Sequence, residues 1–441
     1  MNKFWVLLKK EIKDILTPQT IIPIIIIAIL FYAMGGLMGS MIESGGSSNS
    51  DEASASNTVA VIDNDNTDGS TSLVNAISMS GYNIFTTQVT DPTEAYNQHK
   101  NDFDVLIVIP DGFGNIFTGE SGVAADISIY SNVNSFSITS MISGSTISAI
   151  IDSVNQTLSN ALLEANLNAD APDVNFIMNP IEMTEFSRVN GNIEKISPSI
   201  VVNLVTSQTV FVPIIIFLIV IFSSQTLAGS VTGEKSDKTL ETLLTTPVDR
   251  TSILFAKMLS ASIVSLAYAV IFMFSYDGMM NSMMGSAGEA MGDYTAILEN
   301  LGVSFNLGTY AIVGVSIFFS IIIGLSFAII VGVLAEDLKQ LQSLLTPLII
   351  LLVVPYIVSM FADINTLPMI PRILIYLIPF THTFTAIGNV FTSNYLMLIG
   401  GIAYQLIFLF IAVGVARNIF GTDKLFTLKI DFSKKSKKTA N

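Results

Sequence analysis

The eight residues GSVTGEKS, from Gly229 to Ser236, most invite a chemical reading. A phosphate-binding loop needs four residues between its glycines and a lysine directly after the second. Here three residues separate Gly229 from Gly233, and Glu234 stands where the lysine belongs. A carboxylate aimed at phosphate repels it, so no nucleotide or other cofactor site is expected on this chain. Asp63, Asp65 and Asp68 have the composition of a calcium loop. Gly69 follows Asp68 directly, however, and no glutamate stands at the required distance, so a solvated turn is expected. The chain has no cysteine, two distant histidines (His99 and His382) and no H-E-x-x-H motif, so no metal centre is expected. His382, in Pro379-Phe-Thr-His-Thr-Phe, reads as a hydrogen-bonded interfacial residue. With no nucleophile–base pair visible, the chain is not expected to be an enzyme.

The elements around these residues are membrane elements. The 441 residues are 51% hydrophobic and 12% charged, with mean hydropathy +0.62. Soluble domains carry about 25% charged residues, and a bilayer crossing takes about 20 apolar ones. The predicted fold is an α-helical polytopic membrane protein. It has six transmembrane helices and an α/β extracytoplasmic domain between the first two. The net charge of -15 is segregated. Residues 41–195 carry 20 acids against Lys100, Arg188 and Lys195, while the segment from Arg417 onward is basic. The acidic balance therefore reports one domain, and no nucleic-acid partner is implied.

In chain order, residues 1–19 read as an amphipathic interfacial helix, with Phe4, Leu8, Ile12, Ile15 and Leu16 on one face and lysines elsewhere. A signal peptide fails for lack of a small-residue cleavage site. Residues 20–40 form span 1. Residues 41–198 are the extracytoplasmic domain, opening on a polar linker (43–57). Its predicted strands lie near 59–63, 83–89, 104–110, 123–130 and 174–183. Helices are predicted near 70–80 and 92–100, with a stalk over 136–168. Span 2 covers 199–228, a charged loop 229–252, span 3 253–274, an outer loop 275–309, span 4 310–334 and span 5 341–361. Residues 362–395 are Pro-interrupted and read as re-entrant or interfacial. Span 6 covers 396–416, and 417–441 is a basic tail.

Basic residues set the orientation. Segments 1–19, 229–252, 335–340 and 417–441 hold 4, 3, 1 and 7 Lys/Arg, against 3, 0 and 1 in 41–200, 275–309 and 362–395. Both termini are therefore expected in the cytoplasm of a multi-pass plasma-membrane protein. The spans hold no Asp, Glu or Arg, and Lys257, in the first turn of span 3, is expected to snorkel to the interface. An ion-coupled carrier keeps an ionisable group at depth, so energy for transport must come from elsewhere. Ser207, Gln208, Ser224 and Gln225 of span 2 are candidates for a translocation path, with helix–helix hydrogen bonding as the plainer alternative.

That leaves the loop after span 2. Ser236 reads as an N-cap, Asp237 sits in the first turn, Leu240, Leu243 and Leu244 share a face, and Pro247 ends the helix. The run Gly233-Glu-Lys-Ser-Asp-Lys-Thr-Leu-Glu-Thr-Leu-Leu-Thr-Thr-Pro-Val-Asp-Arg-Thr-Ser-Ile-Leu-Phe-Ala-Lys257 resembles the coupling region of ABC-2-type transporter permeases. The Val59–Asp63 and Leu106–Phe113 stretches resemble strands of members with large ectodomains, in the NatB-like and drug-exporting branches. Ser236-Asp237 departs from the Arg/Lys-Gly frequent there. The resemblance implies a permease subunit of an ATP-binding cassette exporter. It implies a cytoplasmic ATPase subunit that binds ATP, and a second permease copy or homologue. It also implies ATPase contacts at Glu234, Lys238, Glu241, Leu243 and Leu244. The alternative is a membrane-anchored ectodomain that binds or scaffolds without transport.

Overall fold

The structure is a computed structural model. The described residues are 3–32, 58–133, 146–166, 174–240, 248–283, 291–303 and 307–421, less positions 19, 23, 31, 88, 90, 100–102, 104 and 119–123.

The chain opens with α1 (Lys3–Ile15) and α2 (Thr20–Leu30), which meet at 67°. The bend falls at Pro18, whose ring blocks a continuous helix. The Thr20 hydroxyl donates to the Ile15 and Thr17 carbonyls there, satisfying acceptors that the break leaves open.

A mixed sheet follows. Its strands are β1 (Thr58–Asp63), β2 (Asn83–Thr86), β3 (Val105–Ile109), β4 (Ala125–Asn132), β5 (Ile181–Val189) and β6 (Asn192–Glu194), in the order β2-β1-β3-β4-β5-β6. The β1–β2, β1–β3 and β4–β5 pairs are parallel, and β3–β4 and β5–β6 antiparallel. In β1, Val59 and Val61 face one core and Ala60 and Ile62 another. A strand buried on both faces must be apolar throughout, which is why TVAVI reads as an unbroken run. Helices α3 (Asp68–Met79) and α4 (Pro92–Gln98) lie between the first three strands. They are followed by α5 (Asn115–Thr118), α6 (Thr146–Asn166) and α7 (Val174–Met178).

Two sequence expectations change in this domain. Residues 174–178 are helical, and the last strand begins only at Ile181. A hairpin through Asn190 and Gly191, closed by β6, was not among the expected elements. The Asp63–Asp68 loop is a turn. Asp63 Oδ1 accepts from the Asp65 and Asn66 amides, each at 3.0 Å, and its Oδ2 from Ser70 at 2.7 Å. Asp65 Oδ2 accepts from the Gly114 amide at 2.9 Å.

Beyond the sheet stand α8 (Pro198–Ser236), α9 (Arg250–Met283), α10 (Met291–Asn300), α11 (Leu307–Leu334), α12 (Leu338–Phe361), α13 (Met369–Tyr376), α14 (Thr381–Phe384), α15 (Ala386–Phe391) and α16 (Tyr395–Gly421). Five of these, α8, α9, α11, α12 and α16, are long and apolar enough to cross a membrane, and the bent α1–α2 pair would make a sixth. Leu259, Ile263 and Leu266 of α9 and Ile407, Phe410 and Ile411 of α16 are exposed. Such a belt suits hydrocarbon, not water. The α10 helix occupies part of the stretch expected to be loop.

Helix α11 is the hub, packing on α8, α9, α12 and α16. Glycines bring it close to α8. A Cβ at Gly324 would lie 2.7 Å from Val220 Cγ1, and one at Gly332 2.9 Å from the Ala228 carbonyl oxygen. Small residues at such contacts let two backbones approach where no hydrophobic effect drives helices together. The ends of α8 and α11 define two levels of the bundle, one near the sheet and one far from it.

Candidate functional site

At the far end, Lys257 is completely buried, two turns into α9. Its ammonium lies 2.8 Å from Glu11 Oε2 of α1 and 2.8 Å from Glu234 Oε1 of α8. It does not snorkel, which corrects the sequence expectation. A buried ammonium is tolerated only when paired, and here two helices supply the carboxylates. Glu11 is itself 1% exposed. It sits on the buried face of α1, between Leu8 and Ile15 at spacings of three and four, while Leu16 on the expected apolar face is exposed.

Lys10 closes the cluster from outside, 3.2 Å from Glu11, 3.1 Å from Asp14 and 3.4 Å from Glu234. Burial works against the Lys10 charge, but Glu11, Asp14 and Glu234 together outweigh it and hold the pKa above the usual lysine value. Five ionisable side chains, two basic and three acidic, thus join the ends of α1, α8 and α9.

Other side chains tie in the remaining helices. Lys235 donates to the Val333 carbonyl and, at 3.1 Å, to the Ala335 carbonyl. Thr232 donates to the Gly332 carbonyl at 3.0 Å. Arg250 donates to the Gly421 carbonyl at 3.3 Å. These carbonyls lie at the C-terminal ends of α11 and α16, where the helix dipole favours cations and the last acceptors need partners. The contacts also explain why α8 continues through Gly229 and Gly233. Ser236 is its final residue and Asp237 its C-cap, so Ser236 does not cap the next helix as the sequence suggested; helical backbone resumes at Thr239. Lys238 then takes a left-handed conformation (φ 59°) that ends α8, and Leu240 just beyond it is fully buried in the bundle core.

The candidate contact residues therefore separate. Glu234 is held inside the cluster, with a side chain 18% exposed. Lys238 is exposed. Glu241, Leu243 and Leu244 lie outside the described residues, as does Pro247. The path candidates separate as well. Ser207 is buried, and Gln208 Oε1 and Ser224 Oγ are buried atoms without a hydrogen-bond partner. Gln225 is exposed. Ser207 and Ser224 are roughly 25 Å apart along the helix, so the four residues do not share one level. Their neighbour Ser223 bonds Ser265 of α9 at 2.5 Å, as a helix–helix link.

A second polar cluster was not anticipated from sequence. Gln405 of α16 is fully buried, and its side-chain nitrogen, with two hydrogens to donate, lies within hydrogen-bond distance of Thr383 (2.6 Å), Ser320 (3.1 Å) and the Pro379 carbonyl (3.1 Å). Its Oε1 accepts from Ser316 at 2.8 Å. Gln405 is a strongly polar residue within the apolar 396–416 run of α16, which was the available signal. Its partners come from α11 and α14, remote in sequence.

A sequence profile of the ABC-2 family transporter proteins matches residues 15–417. No curated protein matches the chain. Among solved structures, a crystallised domain ascribed to an ABC type-2 transporter of Thermotoga maritima MSB8 is 23% identical. The match covers 33% of this chain and 97% of that one, at a TM-score of 0.27. The family match runs from the end of α1 to the end of α16, and the chain belongs to the ABC-2 family of transporter proteins.

Proposed function

We propose that this chain is the permease subunit of an ATP-driven exporter, and that the far end of its bundle faces the cytoplasm and receives a separate ATPase. The carrying observation is the buried Lys257 between Glu11 and Glu234. It fixes α1, α8 and α9 as one unit at the base of the 237–249 connection. A push on that connection is delivered to three helices at once, and through Lys235 and Arg250 to the ends of α11 and α16. Such a joint transmits force from outside the membrane without a nucleotide site of its own.

The charge distribution supports the sidedness: the described basic residues of 1–19, 229–252, 335–340 and the end of α16 lie at the far end, and the acidic sheet domain would be extracytoplasmic. Six crossings follow if α1 lies along the interface and α2 begins the first span. Trp5 and Val6, exposed on α1, suit that position. ATP would bind the partner, and two permease halves, identical or homologous, would form the conduit.

Glu234 serves the internal joint in this reading. The surface offered to the ATPase is Asp237, Lys238 and Thr239, continuing to Glu241, Leu243 and Leu244. The experiment is purification of the full chain with its ATPase, followed by ATPase assay. Lys238→Glu combined with Glu241→Lys should abolish stimulation of ATP hydrolysis by the permease while leaving its melting temperature unchanged. Normal stimulation by that variant refutes the docking surface. A clean homomer that retains no ATP-binding subunit favours the anchored-scaffold alternative.

A further inference from the structure

Helix α1 carries two lysines that the Lys257 cluster does not use. Lys9 and Lys13 are exposed, and neither has an ion-pair partner among the described residues. They stand four positions apart, so they neighbour each other on one face, about 6 Å apart along the axis. With Trp5, Val6, Lys10 and Asp14 they line a groove of roughly 580 Å³. Asp14 is the one acid among those lining residues, and Lys10 holds it at 3.1 Å. The two free ammonium groups leave the groove with positive charge that no neighbour balances.

The residues on either side show how this face lies. Leu8, Glu11 and Ile15 form the buried face of α1. At about 100° per residue, Ile12, Trp5 and Leu16 come next around the helix, then Lys9 and Lys13 with Val6, then Lys10 and Asp14. Trp5 and Leu16 are exposed, an apolar flank suited to a bilayer. On the opposite flank Lys10 meets Glu234, in the last turn of α8. That flank faces water. Helix α1 meets α2 at 67°, so with α2 upright in the membrane α1 lies nearer the membrane plane than its normal. Lys9 and Lys13, between an apolar flank and a wet one, then stand at the level of the lipid headgroups.

We infer that Lys9 and Lys13 bind the phosphate of an anionic phospholipid in the leaflet where α1 lies, with Trp5 against its glycerol and upper acyl region. An ammonium binds phosphate as a point charge, and a lipid of net negative charge attracts it where a zwitterionic one does not. Tryptophan suits that depth, because its ring is apolar and its N–H needs a polar partner. Free phosphate would meet the same lysines but gain nothing from Trp5 and Leu16. The bound lipid braces the outer side of α1, whose inner side brings Glu11 to Lys257. The inference rests on α2 crossing the membrane and not on the ATPase, so it can fail while the docking surface stands.

Trp5 is the only tryptophan of the chain, so tryptophan fluorescence reports this site alone. The test reconstitutes the full chain in phosphatidylcholine vesicles containing a minor fraction of phosphatidylglycerol. The same mole fraction of lipid carries brominated acyl chains, which quench tryptophan on contact. The brominated lipid is phosphatidylglycerol in one set and phosphatidylcholine in the other. We expect stronger quenching by the brominated phosphatidylglycerol. Each lysine near an anionic surface contributes about fivefold in partition, so Lys9→Gln/Lys13→Gln should cut the preference roughly 30-fold. Glutamine matches lysine in helix propensity, so α1 is kept. Equal quenching by the two lipids in wild type overturns the proposal, whether or not the variant folds. So does an undiminished preference in the folded double variant. Loss of the preference in inorganic phosphate, compared with sodium chloride at equal ionic strength, assigns the lysines to a free anion and overturns it. Trp5 emission that responds to the ATPase subunit but to neither brominated lipid assigns the face to protein, and that also overturns it.

Discussion

Replacing Lys257 with methionine removes the one group that neutralises Glu11 and Glu234 from within. Methionine keeps the length and helix propensity of lysine, so the change is chiefly one of charge. Glu11 is 1% exposed and would be left with Lys10 alone, 3.2 Å away on the solvent side. Glu234, at 18% side-chain exposure, would keep Lys10 at 3.4 Å. Breaking a buried pair by deleting one partner costs about 3–5 kcal/mol, because the surviving charge stays buried. Lys10 reduces that cost, so the lower part of the range is expected. The double variant Lys257→Met/Glu11→Leu removes the stranded charge as well and should recover most of the loss, since an apolar replacement of a buried pair is often neutral. Thermal unfolding of wild type, the single variant and the double variant in the same detergent reads both numbers. ATPase stimulation, measured on the stable double variant, then separates stability from coupling. Clean recovery of stability with impaired stimulation supports the force-transmitting joint. A Lys257→Met protein as stable as wild type, or a double variant no better than the single, refutes the reasoning.

Three further outcomes follow from the packing. Gln405→Leu leaves Ser316, Ser320 and Thr383 to one another and should destabilise by about 1–3 kcal/mol, read by chemical or thermal unfolding. Gly332→Ala places a methyl 2.9 Å from the Ala228 carbonyl oxygen, and neither backbone can yield easily; a loss of roughly 1–3 kcal/mol is expected, larger than for Gly414→Ala, where the added methyl meets nothing within 4 Å. His382, held at the Tyr376 carbonyl, is pushed by burial from 6.5 down to about 4, the hydrogen bond pulling it up. The unfolded chain therefore binds this proton more readily, so the stability it contributes is complete above pH 6.5 and is lost as pH falls toward about 4. Melting curves of wild type and His382→Gln should diverge above that window and converge below it.

The long apolar helices were legible because a chain in hydrocarbon must satisfy its backbone locally, and an uncharged run of sufficient length announces that requirement. The β1 and β3 strands were legible for a related reason, since burial on both faces demands continuous apolar residues. The boundary at Ser236 was misread. Its serine–aspartate pair favours a cap, but Thr232 and Lys235 bond the end of α11, and tertiary contact carries the helix past two glycines. The helix at 174–178 was misread as strand because a short apolar run has no periodicity to decide between the two.

The candidate site divides along the same line. The charges of the Gly229–Lys257 stretch, the missing phosphate loop and the position of Glu11 on the α1 wheel are all properties of neighbouring residues, and the sequence alone determines them. The partner of Lys257 is not such a property. Glu11 lies 246 residues away and Glu234 lies 23 away, and only the packing of α1, α8 and α9 brings the three together. A lysine at the edge of an apolar run can reach solvent or be buried with acids. The choice depends on what covers it, and the covering helix comes from the other end of the chain.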